Sequence, residues 1–586
     1  MRILVSGRGR VATITCACLL ALAAVGCGKA QISGYRDTPR AGSSGAASDA
    51  GGAGSLGIAG IVEAAGNGGS PSEPPGTRLP SELRRLTANE YVASVLDVLG
   101  IDASGTALAP LTASAASADG FDNNADANVA VSTDSYQRYL EIAEGVAAQA
   151  FADSALRARI VSCTQADDAT CVRQIVSQAG LRLFRRPLLA DELSAYQAEY
   201  TRARTRGLSH EDAAKELLTA LLASAQFVYR MELLPSAGSA TLSPYDIAAR
   251  LSYLLWSSAP DDALLQAAAN NQLASEADLQ GALARLLLDD KSRRFSQNFG
   301  AQWLGARGIR AQAVDPSSFP QWSVAVATAA TEEVQAYFDD FFRNERPLPD
   351  LFASRAHFVN QDLAPLYGVQ VTGTALQRVD GTQPDRQGFL GLVGFLVLDS
   401  RGARTSPSFR GARVLRDLLC TPLPELPMDH PQFQNAGATL HDYLNGIDSR
   451  APCSSCHAQM DALGLPLEGF NAIGQTRAFY GVGSAVDGSA VDLRATLPSI
   501  VAPSPAGPIA SAAELSVALG GSDAFRRCVA QKLYGYGFGH SYSANDATNV
   551  DLLASSTLDD PLTMKQLLLR LVTSAEFRGR SAGDKP

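Results

Sequence analysis

From residue 86 onward, apolar side chains keep returning at helical spacing, and no apolar–polar alternation persists long enough to build a sheet. This periodicity predicts a mainly α chain. Its helix starts are also written in the sequence. "LTANEYVASVLDVLG" places Thr87 three residues before Glu90, a capping-box pattern. "SPYDIAARLSYLLW" sets Ser243 at a cap and Pro244 in the first turn, followed by Ile247, Leu251, Leu254 and Leu255 on one face. "SHEDAAKELLTALLASAQFVYRMELLP" starts at Ser209, carries its stripe through Leu217, Leu218, Leu221, Leu222 and Ala225, and is expected to run to Pro235. Thr563 opens a last stripe of Met564, Leu567, Leu568 and Leu571. No repeat of fixed period appears, which argues against a solenoid.

With 586 residues the chain exceeds a single core, and 46% hydrophobic with 18% charged residues is a globular composition. The formal net charge is −10 and no stripe of Lys and Arg forms, so nucleic acid is not an expected partner.

The N-terminus reads as an export signal. Arg2, Arg8 and Arg10 precede the apolar run "VATITCACLLALAAVG", which ends on Cys27. "AAVGC" resembles a bacterial lipobox, with Ala24 where Leu is commoner. Residues 1–26 are therefore expected to be a lipoprotein signal peptide and Cys27 the lipidated first residue; an ordinary cleaved signal or a short anchor are the alternatives. Gly28 stands where Asp would signal inner-membrane retention, so the expected location is the outer membrane, on its periplasmic or cell-surface side. Residues 27–78, rich in Gly, Ser and Ala, cannot bury a core and read as a disordered tether. Beyond the signal the longest apolar run is "GFLGLVGFLVL" (388–398), too short to span a bilayer. Its glycines 388, 391 and 394 suit a buried helix packed closely on a neighbour.

Removing Cys16, Cys18 and Cys27 leaves Cys163, Cys171, Cys420, Cys453, Cys456 and Cys528, an even set in an oxidising compartment. Cys163 and Cys171 are close enough to staple one loop, and Cys420 would then pair with Cys528 at long range. Cys453 and Cys456 are left for other chemistry.

They stand in "CSSCH", two cysteines separated by two residues and followed by His457. Thiols at this spacing reach the two vinyl groups of one haem, and the histidine directly after them becomes an axial ligand of its iron. Zinc would lack a fourth ligand, and no βαβ pattern surrounds the pair to suggest a thioredoxin-like disulfide. Covalent haem c is the expected cofactor. No G-x-S-x-G, H-E-x-x-H or phosphate-cradling loop occurs. "DGFDNNADAN" (119–128) departs from the EF-hand spacing and reads as an Asx-rich turn rather than a calcium loop; the acid pairs Asp261–Asp262 and Asp339–Asp340 read as solvated helix faces.

At "CSSCHAQMDALGLPLEGFNAIGQTR" the chain resembles the haem-binding segment of the planctomycete-type cytochrome c multidomain family, built of consecutive domains of unknown function 1587, 1595, 1592, 1588 and 1585. The resemblance extends in order through "RRLTANEYVASVLDVLG", "LRLFRRPLLADELSAYQ", "ARLSYLLWSSAPDDALL", "RQGFLGLVGFLVLDSRGARTSPSFRGARVLRDLLCTPLP" and "FRRCVAQKLYGYGFGH". It implies helical domains over 79–155, 156–236 and 237–372, a cytochrome c-like haem region over 380–480, and a C-terminal helical domain over 500–582. It does not imply a reaction. Departures are Ala462 after Asp461 where relatives tend to have Pro, Asn471 after Gly469 and Phe470, Ile447 where a His is common, and His540 after Gly539.

Cys453 and Cys456 are thus expected to attach the haem, His457 to be its proximal ligand, and Arg477 to pair with a propionate. Met428, His441, His540 and Met564 are the candidates for the distal position, and none ranks first. An exported electron-transfer cytochrome is the leading expectation. A haem-dependent oxidase or peroxidase acting on a small molecule, and an envelope scaffold with a structural haem, are the alternatives. Expected partners are a redox protein or small-molecule substrate in the envelope, the membrane through the lipid anchor, and, from the resemblance, another exported protein of unknown function.

Overall fold

Helix caps set the frame. In the computed structural model, which describes residues 83–105, 120–124, 131–161, 168–232, 241–381, 383, 385–423, 444, 453–481, 488–502, 507–555 and 562–579, the Thr87 hydroxyl accepts from Glu90 N at 3.1 Å. The Glu90 carboxylate accepts from Thr87 N at 2.9 Å in return, closing the expected box at the start of Ala88–Leu99. Ser243 caps Pro244–Trp256, and Thr563 with Gln566 caps Met564–Thr573. The signal, the tether, Cys27, Cys163, Met428 and His441 lie outside the described residues.

The described part is mainly α. Its named strands form two-stranded antiparallel ladders: Arg84–Arg85 with Tyr229–Arg230, Ala356–Val359 with Gln377–Asp380, and Ala495–Thr496 with Pro508–Ile509. No described helix is long and apolar enough to cross a membrane.

The apolar stripes close two cores. One is built from Leu86 to Val228, through helices Ala88–Leu99, Thr133–Ala152, Asp168–Phe184, Ala190–Thr205 and His210–Leu222, and takes in Tyr253. The other runs from Leu242 to Phe577 and takes in Phe121. Each core therefore borrows one aromatic from the other's chain segment. Tyr253, from Pro244–Trp256, meets Ser94 Oγ at 3.0 Å and accepts from Arg185 Nη1 at 3.1 Å. Phe121 lies 5.3 Å from the ring of Tyr536 and 5.7 Å from that of Phe299. The Asx-rich turn is what brings it there: Asn123 Nδ2 donates to Tyr536 O at 2.8 Å and Asn124 Nδ2 to Ser541 Oγ at 2.9 Å.

Three expectations need correction. The stripe from Ser209 ends as a helix at Leu222; Ser224 caps a separate turn, Ala225–Val228, and the chain then extends into the ladder with Arg84–Arg85. The run 388–398 is buried as expected but is not one helix. It is a 3-10 turn, Phe389–Gly391, and a short helix, Val393–Val397, broken at an extended Leu392. The break has a cause, because Val393 N donates to Tyr367 Oη at 3.1 Å and Gly394 N to Glu333 Oε2 at 3.4 Å. Buried side chains thus take donors that a continuous helix would use. Third, the acid pairs are not merely solvated. Asp262 receives a two-pronged bond from Arg182 at 2.6 and 2.7 Å, Asp261 pairs with Arg285, and Asp339 and Asp340 meet Arg293 and Arg346.

Candidate functional site

Cys453 is the cap residue of helix Ser454–Gly464, so Cys456 and His457 occupy its first turn and His457 N donates to Cys453 O at 3.1 Å. Both thiols are free and partly exposed. The helix runs on into a 3-10 turn, Leu465–Leu467, whose three residues are buried.

One neighbour dominates this motif helix. Pro407–Arg413 crosses it so tightly that a Cβ on Gly411 would lie 1.7 Å from Met460 O, and one on Gly464 would lie 1.8 Å from Pro407 O. Each helix offers a glycine where the other's backbone passes, so no larger residue fits at either place. From the same bracing helix, Ser408 Oγ donates to Asp461 Oδ1. The other carboxylate oxygen of Asp461, which is 2% exposed, lies 3.0 Å from His457 Nδ1. A carboxylate accepts, so Nδ1 carries the proton and Nε2 is the nitrogen with a lone pair for a metal.

The segment after the helix is organised by a buried cation. Arg410 Nη1 donates to Leu467 O at 2.8 Å and Phe470 O at 3.0 Å, and Nη2 donates to Leu396 O and Asn471 O at 2.9 Å. Its counter-charge is Glu468, fully buried, at 3.3 Å. Burial pulls the Arg410 pKa down to about 10, against the pull of Glu468, so it remains a cation at neutral pH. Asn471 Oδ1 accepts from Ile473 N and Gln475 N, shaping the next turn. Arg386 closes the loop from below: it donates to Gly391 O and Gly474 O and lies over the rings of Tyr367 and Phe470 at 4.5 and 4.8 Å.

Arg477 is part of this scaffold. Nε donates to Glu468 O, and Nη2 to Glu468 Oε2 and Thr405 Oγ1, all at 2.8 Å. Thr405 Oγ1 in turn donates to Glu468 Oε2 at 2.6 Å. A propionate partner would have to share a guanidinium already committed to Glu468. His540 follows the end of Asp523–Phe538; Nδ1 donates to Ser541 O at 3.0 Å, while Nε2 is buried without a hydrogen-bond partner, beside Tyr534 and Phe538. Met564 is 1% exposed in the second core, on a helix that packs against Glu276–Leu288 and Asp523–Phe538.

Cys420 and Cys528 are joined as expected, 108 residues apart, and Cys171 is also disulfide-bonded. No group of three or more His, Cys, Asp or Glu that could hold a metal ion occurs among the described residues. Ser408, Arg410, Glu468 and Arg386 were not singled out by sequence reasoning. The signal that could have found the charged ones is a charge set among apolar and glycine residues, as in "SFRGARVL" and "LPLEGF".

Five family models match the chain in consecutive order. Residues 84–152 match the protein of unknown function DUF1587, 171–232 match DUF1595, and 242–369 match DUF1592. Residues 386–480 match DUF1588 and 507–577 match DUF1585. The chain belongs to the planctomycete cytochrome c-type multidomain family. The model over 386–480, which takes in both the motif helix and its bracing helix, bears the cytochrome name PSCyt3. No curated protein and no solved structure matches. In this cytochrome c-type family chain, the family segments do not map one to one onto cores: the DUF1587 and DUF1595 matches share the first, and the other three share the second.

Proposed function

We propose that this chain is an exported c-type cytochrome lipoprotein with one covalently attached haem, and that it passes electrons in the cell envelope. The observation that carries the reading is the motif helix: two free thiols one turn apart, followed by a histidine whose Nδ1 is held by a buried carboxylate. These residues fit haem c. Cys453 and Cys456 would form the thioethers, and His457 would offer Nε2 to the iron. Haem bound there supplies a one-electron Fe(III)/Fe(II) couple. The chain's own part is to fix the histidine's tautomer and orientation through Asp461 and to hold the flanking loop rigid through Arg410 and Glu468. Cys27 would carry the lipid, placing the body at the outer membrane, where its partner would be a redox protein.

The test is direct. Full-length protein made in a host with a cytochrome maturation system is run on a denaturing gel and stained for haem; thioether-bound haem survives boiling. A stained band at full length, lost in the double variant Cys453→Ser/Cys456→Ser, is expected. Wild-type protein without stain would overturn the reading. Carbon monoxide added to the reduced protein then distinguishes the electron carrier, with no spectral shift, from an oxidase or peroxidase, which would bind it rapidly.

A further inference from the structure

We infer that Asp461 is a positioning residue that sets the redox poise of the haem, holding it at a low reduction potential through the imidazole of His457; this rests on the haem reading proposed above. His457 and Asp461 are four residues apart on one helix and therefore share a face. The Asp461 side chain is 2% exposed, and its two oxygens are divided between two donors: Oδ2 faces His457 Nδ1 at 3.0 Å, and Oδ1 takes the Ser408 hydroxyl. Among the described residues its one ion-pair partner is His457 itself. No Lys or Arg among the described residues pairs with it to absorb its charge, in contrast to Glu468 nearby, which holds Arg410 and Arg477.

A carboxylate withdrawn from water acts strongly on the donors that it faces. Drawing the Nδ1 proton toward itself, it raises the electron density on the imidazole and makes Nε2 a stronger donor. A stronger axial donor stabilises Fe(III) more than Fe(II), which lowers the potential. The placement is built in, because the Gly411 and Gly464 crossing fixes the bracing helix that carries Ser408 against the helix that carries Asp461. Ser408 works in the opposite sense. Its hydrogen bond takes up part of the carboxylate's charge, so it tempers what reaches the histidine.

The opposed roles make the test specific. Full-length protein carrying covalent haem is titrated potentiometrically as wild type, Asp461→Asn, Asp461→Glu and Ser408→Ala. At a fixed ambient potential, Asp461→Asn is expected to raise the ratio of reduced to oxidised haem at least tenfold, which is 59 mV for a one-electron couple. Asp461→Glu should recover part of the shift, and Ser408→Ala should move the ratio about threefold the other way. A haem-loaded Asp461→Asn protein whose ratio changes less than twofold, or Asp461→Asn and Ser408→Ala shifting in the same direction, would overturn the inference. If Asp461→Asn does not load haem, Ser408→Ala decides: a shift toward oxidised haem supports it and no shift overturns it. Wild-type protein without a haem stain instead defeats the underlying reading, so the two failures are distinguishable.

Discussion

Arg410 and Glu468 are a buried ion pair of a kind whose value lies in its completeness. Glu468 is fully buried, Arg410 is 1% exposed, and the guanidinium holds backbone carbonyls on both sides of the motif's flanking loop. Removing one partner leaves the other charged and dry. Glu468→Gln, which strands two guanidinium groups together, is expected to destabilise the protein by about 3–5 kcal/mol, read as a loss in denaturant unfolding. Glu333 gives a different signature. Burial pushes its carboxyl up to about 7, from an ordinary value of 4.5, despite the hydrogen bond from Tyr367. Between those two pH values the folded state keeps a proton that the unfolded state has lost, so stability falls as pH rises across this window, by about 3 kcal/mol in total. Glu333→Gln keeps an acceptor for Tyr367 without the titration. Its thermal midpoint should therefore vary less between pH 4.5 and 7 than that of the wild type.

At the scale of elements, the pairing of Pro407–Arg413 with Ser454–Gly464 is the joint on which the candidate site depends. An added methyl at Gly411 or Gly464 would meet backbone oxygen rather than a side chain that could swing away. Gly411→Ala and Gly464→Ala are each expected to lower stability by about 3 kcal/mol, the upper end for overpacking, with a matching drop in thermal midpoint. Gly481→Ala, with open space around its Cβ, should be neutral. This joint also marks where the sequence stops being legible. Caps at Thr87, Ser243 and Thr563 could be read because a cap is a local contract between residues three apart. The Cys453, Cys456 and His457 spacing is local in the same way. Asp461 lies only four residues beyond His457, but its part depends on Ser408, 53 residues away, and no local pattern announces that partner. The broken helix at Leu392 was misread for the converse reason: local spacing favours a helix, and Tyr367 and Glu333 override it from a distance. The helix ending at Leu222 gave way similarly, to pairing with Arg84–Arg85.

For the whole molecule, cohesion comes from side chains that cross between family segments. Arg250 holds Glu232 with two bonds, at 2.6 and 2.7 Å, and donates to Glu576 O and Phe577 O near the end of the described chain. The Cys420–Cys528 disulfide spans 108 residues. Closing a loop of that length contributes at most about 4–5 kcal/mol, so the double variant Cys420→Ser/Cys528→Ser should melt well below the wild type, by a margin that reducing agent removes. If the two proteins melt together without reductant, the bond is not formed in solution.

That bond also makes a covalent circuit of residues 420–528, and Cys453, Cys456 and His457 all lie inside it. A protease that cuts once within the circuit opens it without dividing the molecule, and the nicked chain still runs as one species until it is reduced. Freeing a fragment that carries the motif takes a second cut, or an electron donor strong enough to break the bond.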